Sequence, residues 1–179
     1  MSMIHKAFAF DHQGFRRRLQ PALDAALATH DPTAIRRFID ENLHELTDPY
    51  DGEPLANDWE RMIETRDVQQ YGDFALTAFY CPTLDRGLGE GWSETDRFVR
   101  SETGSSRLLL GARMGPHGMF FDPGRQGAYF QTHLDCCCNL DSIRSLGSSV
   151  PAALSAGLKS FGELLEEASS SGRGLYVTF

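Results

Sequence analysis

Apolar residues recur every fourth position from Phe15 through Leu19, Leu23 and Leu27, the spacing that lines one face of an α-helix. This predicts a first helix over 15–28, with Arg16, Arg17 and Arg18 on its solvated side. Asp31 as a cap and Pro32 in the first turn announce a second helix, whose inward side is Ile35, Phe38, Ile39 and Leu46. Only a short break around His30 separates the two, so an antiparallel hairpin is expected. The stretch 47–54 is dense in turn formers. Asn57, with Glu60 three residues on, reads as the capping box of a short third helix carrying Trp59, Met62 and Ile63.

From Phe74 to Tyr80 large and small side chains alternate, the pattern of a strand packing one face, and Pro82 ends it. Residues 85–106 read as a long glycine-containing loop with one short element near Phe98. Short strands are expected at 107–110, 119–121 and 128–130, the last two separated by the turn Asp122-Pro123-Gly124. A long helix over 150–169 follows, with Ser149 as its cap and Leu154, Leu158, Phe161, Leu165 and Ala168 along one side. The segment Leu175 to Phe179 reads as a terminal strand, which needs a neighbour to pair with. Helices first, strands and loops next, then helix and strand, point to an α+β fold. Its helices pack on a small, largely antiparallel sheet, in a single domain covering 1–179.

Composition narrows the function classes. No run approaches the ~20 apolar residues of a membrane span. The apolar stretch Ala7 to Phe10 meets Asp11 too soon for an export signal. Four cysteines, three of them consecutive at Cys136, Cys137 and Cys138, do not form a disulfide framework, so a reducing, cytoplasmic location is expected.

Charge changes the picture most. The net charge is −8, and the segment 40–67 alone, with ten acids against Arg61 and Arg66, accounts for all of it. Such a field attracts cations and repels phosphates, which argues against direct nucleic-acid binding and for a basic protein partner. Asp48, Asp51, Glu53, Asp58 and Glu60 are the expected partner-binding acids, and Tyr50, Trp59 and Tyr71 the expected aromatic anchors. The function that follows is a non-enzymatic protein-binding protein. Its concrete form is an immunity or antitoxin-type inhibitor of a cationic toxin, with no cofactor and no metal.

The alternative is a small enzyme or ligand-binding domain with a site in the loops of 113–138. Its residues would be His117 and Arg125 beside two turns, with His133 and Cys136 from the His133-Leu134-Asp135-Cys136-Cys137-Cys138 segment. Three adjacent cysteines diverge and lack CxxC spacing, which weakens a metal reading. Gly87-Leu88-Gly89-Glu90-Gly91 has no lysine and carries an acid, which disfavours a phosphate loop. The acids near Asp51 do not follow the spacing of a calcium loop.

Overall fold

The C-terminal strand is the centre of the sheet. In the computed structural model, which describes residues 3–179, β1 (Lys6–Phe10), β2 (Ala128–Gln131) and β3 (Gly174–Thr178) form one antiparallel sheet in the order β1-β3-β2. The register of β1 on β3 runs from Lys6 opposite Thr178 to Phe10 opposite Gly174. Gly174 is required here: a Cβ would stand 2.0 Å from the Gln131 carbonyl oxygen. Seven α-helices complete the described residues: α1 (His12–Arg18), α2 (Gln20–Thr29), α3 (Thr33–Asn42), α4 (Val68–Leu76), α5 (Trp92–Thr103), α6 (His133–Leu146) and α7 (Ala152–Ser170). The α+β class expected from the sequence is the one adopted. None of the described helices is long and apolar enough to cross a membrane.

The chain groups into two compact units. The first joins the described residues up to His12 with Asp85–Ala112 and Tyr129–Phe179. In it, Leu158, Phe161, Leu164, Leu165 and Ala168 of α7 and Cys136 and Leu140 of α6 are buried in one core with Ala7 of β1 and Leu175 and Val177 of β3. Thr132 and Asp135 form a reciprocal capping box that starts α6 (3.1 and 2.8 Å). The second unit comprises Gln13–Leu84 and Arg113–Ala128. Its core contains Phe15, Leu23, Ile35, Ile39, Phe74 and Phe79.

Several elements differ from the pattern-based expectation. The single helix expected over 15–28 is broken at Leu19, because Pro21 has no N–H to offer the Arg17 carbonyl. The strand expected at Phe74 to Tyr80 is instead the end of α4 and a 3₁₀ turn, Thr77–Phe79. Asp67 caps α4 by accepting the Gln70 N–H (2.9 Å), and every residue from Tyr71 to Thr77 is buried, so helical periodicity leaves no polar face to reveal it. The expected loop contains α5, stopped by Gly104 in a left-handed conformation. Residues 107–110 form a turn closed by Gly111 N–H on the Arg107 carbonyl (2.7 Å), and 119–121 join no sheet. Asn57 makes no capping bond; the short 3₁₀ turn Trp59–Met62 starts after Asp58 without one.

Candidate functional site

The N-terminus of α4, the loop before it and the turn at Pro123–Arg125 enclose a cleft of about 400 Å³ within the second unit. Tyr50, Glu64, Asp67, Gln69, Gln70, Asp73, Asp122 and Arg125 supply its polar and aromatic lining. Gln69 ties the two sides together: its Nε2 donates to the Phe120 carbonyl (2.9 Å) and its Oε1 accepts the Asp122 N–H (2.6 Å).

Most of the polar groups around the cleft are committed to each other. Asp122 accepts the Gly127 N–H (2.6 Å) and pairs with Arg113. Gln70 Oε1 accepts both the N–H and the hydroxyl of Thr65 (2.7 and 3.0 Å). One oxygen of Asp67 is the helix cap. Asp73 is different. It sits one turn into α4 with 9% of its surface exposed, lines the cleft, and receives no hydrogen bond from any described residue. Burial, reinforced by the nearby Asp48 carboxylate, pushes its carboxyl up to about 7.

The acids of 40–67 divide by the same accounting. Asp40 accepts the indole N–H of Trp59 (3.1 Å). Glu45 pairs with Arg18 (2.8 Å), Glu41 with Arg37 (3.8 Å), Glu60 with Arg36 and Asp58 with Arg61 (3.3 Å). Asp48 is buried and accepts the Tyr50 N–H (2.7 Å), fixing the turn. Asp51, Glu53 and Glu64 are exposed and have no ion-pair partner among the described residues. Of the three expected anchors, Trp59 is 2% exposed and packs edge-on against the buried Tyr71, so both belong to the core. Tyr50 alone is presented, 75% exposed, in the lining of the cleft.

The residues of the alternative site fall in different units: His117 and Arg125 in the second, His133 and Cys136 in the first. Arg125 lines the cleft from a left-handed turn position, φ 56°, while Asp122 pairs with Arg113. Cys136 is fully buried, and burial pushes its thiol up to about 12, the reverse of what a nucleophile needs. His133 Nε2 lies 3.9 Å from the Sγ of Cys137, one turn along α6. Among the described residues no three His, Cys, Asp or Glu groups stand together as metal ligands.

The first unit has its own groove, between α6 and α7, lined by Leu140, Ile143, Val150 and Leu158. Arg144 and Glu166 at its edge are paired (2.8 Å).

Comparison with known proteins adds no neighbour: no protein-family model, no curated protein and no solved structure matches the chain. Sequence reasoning missed Asp73, because what sets it apart, burial without a donor, comes from the tertiary structure.

Proposed function

We propose that this is a non-enzymatic binding protein that docks a basic protein partner through the acidic surface around Tyr50. The immunity or antitoxin type, an inhibitor of a cationic toxin, is its concrete form. The observation that supports it is the exposed Tyr50 beside unpaired Asp51, Glu53 and Glu64 at an acidic cleft. An aromatic anchor contributes apolar contact area, and unpaired carboxylates steer a cationic partner and raise its association rate. Acids already held in ion pairs contribute less, since a partner must compete with their arginines. The acidic surface is thereby narrowed from 40–67 to the part flanking Tyr50.

The test is affinity capture at low salt from the source cell's lysate, using an N-terminally tagged chain and salt-gradient elution. A basic protein retained in stoichiometric amount is expected, lost with Asp51→Lys/Glu53→Lys and kept with Asp58→Lys. Retention unaffected by the first pair overturns this docking surface.

A further inference from the structure

The cleft beside Tyr50 has the features of a receptor for one cation rather than a diffuse acidic surface. Four carboxylates, Glu64, Asp67, Asp73 and Asp122, and one arginine, Arg125, line it. Asp122 is neutralised by Arg113, and the glutamines spend their acceptors on neighbouring backbone and side-chain groups. What remains uncommitted is the Asp73 carboxylate in the lining, the exposed Glu64 carboxylate and the second oxygen of Asp67. The Asp73 carboxylate is nine-tenths buried with no donor among the described residues and meets solvent through the cleft it lines, so it is poorly solvated and open to a ligand there. Titratable groups perturbed by burial in a cleft cluster at functional sites.

We propose that this cleft receives a single lysine side chain of the basic partner, its ammonium pairing with the Asp73 carboxylate and its methylene stem lying along Tyr50. The inference rests on the docking reading above and names the contact at its centre. An ammonium suits the cleft better than a guanidinium. The uncommitted acceptors come from three separate residues, Glu64, Asp67 and Asp73, and a compact charge with three rotatable donors serves scattered acceptors. A guanidinium's planar fork is suited instead to one carboxylate met side-on. Arg125 is exposed in the lining and leaves the balance of charge negative once Asp73 is ionised.

The pairing has a pH signature. The charges that face Asp73 are Asp48 and Glu64 from the preceding loops, Asp67 on its own helix and Asp122 and Arg125 from the turn; Tyr50 is the remaining titratable group. Burial brings the Asp73 carboxyl into the range between pH 5.5 and 8 and moves the Tyr50 phenol further above it, so the change of charge expected across that range is that of Asp73.

The test is calorimetric titration of the whole chain at low salt with N-acetyl-hexalysine amide, at pH 8 and pH 5.5. For Asp73→Asn the affinity is expected to fall about tenfold at pH 8, the worth of one charge-assisted hydrogen bond, and to differ little from the unaltered chain at pH 5.5. In the unaltered chain, the peptide is also expected to lower the midpoint of the Asp73 carboxyl ¹³C titration. Unchanged affinity of Asp73→Asn at pH 8, or an unmoved midpoint, overturns the lysine site. The docking reading survives that result if Asp51→Lys/Glu53→Lys still weakens the peptide. Indifference of the peptide to Asp73→Asn and to Asp51→Lys/Glu53→Lys alike, or no binding at all, overturns both.

Discussion

His5 Nδ1 accepts the backbone N–H of Leu88 at 3.1 Å, which fixes the proton of this buried imidazole on Nε2. Nε2 in turn donates to the Leu109 carbonyl (3.3 Å), so one ring joins the strand-edge residue His5 to two loops of the first unit. Gly87 makes the close approach possible, since a Cβ there would lie 2.1 Å from the His5 carbonyl oxygen.

Protonation of His5 would convert Nδ1 from acceptor to donor and confront the Leu88 N–H with another N–H. Burial accordingly lowers its pKa from the ordinary 6.5, only partly opposed by the Leu109 bond, Asp85 and Asp96. Below pH 6.5 the unfolded chain takes up a proton that the folded chain refuses, so this stability is present above 6.5 and is lost as pH falls toward the lowered folded value. His5→Phe is expected to cost about 1–3 kcal/mol at pH 7.5 by orphaning two backbone groups, and to flatten the pH dependence just below 6.5. Urea unfolding of both chains from pH 7.5 to 5.5 checks this. Parallel curves would show that His5 is not the titrating group.

Asp73 acts with the opposite sign. Its folded value of about 7 lies above the ordinary 3.8, so between these limits the folded chain holds a proton that the unfolded chain has released. Stability therefore falls as pH rises across that window and levels off above it. Asp73→Asn removes the effect and is expected to stabilise the protein at pH 8 by at most on the order of 4 kcal/mol, with the gap narrowing toward pH 5. Unfolding midpoints at the two pH values measure it. A gap independent of pH would mean that the carboxyl is ionised throughout, and a loss of stability at pH 8 that it has an unrecognised partner. A substitution that strengthens the fold while weakening cation binding is the expected mark of a group retained for function.

Long amphipathic elements were legible in the sequence because periodicity survives wherever a helix keeps one wet face. The helix of Leu158, Phe161 and Leu165 and the terminal strand follow directly from their patterns. α4 did not, because the run from Tyr71 to Thr77 is buried on all sides and large–small alternation imitates a strand. The acidic segment was legible as a total but not as a surface. Arg18, Arg36 and Arg37, which neutralise Glu45, Glu60 and Glu41, precede the segment in sequence and fold against it. A charge count over a window omits such partners. Nothing in composition separates Asp73 from the other acids; burial without a donor is a property of the tertiary structure alone.

The cysteines offer a direct test of the catalytic-thiol alternative. Cys81 and Cys138 are exposed, Cys137 is half-buried, and Cys136 is fully enclosed among Leu140, Leu164 and their neighbours in the first unit's core. Alkylation proceeds through the thiolate, and both access and ionisation disfavour Cys136: with its thiol near 12, about one molecule in 10,000 is ionised at pH 8. Brief iodoacetamide treatment of the native protein followed by peptide mapping is expected to label Cys81 and Cys138 first and Cys137 more slowly. Cys136 should remain unlabelled until the chain is unfolded. Labelling of Cys136 at the rate of Cys81 would place it in a reactive, open position and restore the reading of a nucleophile in the second half of the chain. Protection in the native state and labelling in urea would instead make Cys136 a small apolar residue of the core, whose replacement by alanine leaves only the modest cost of a small cavity.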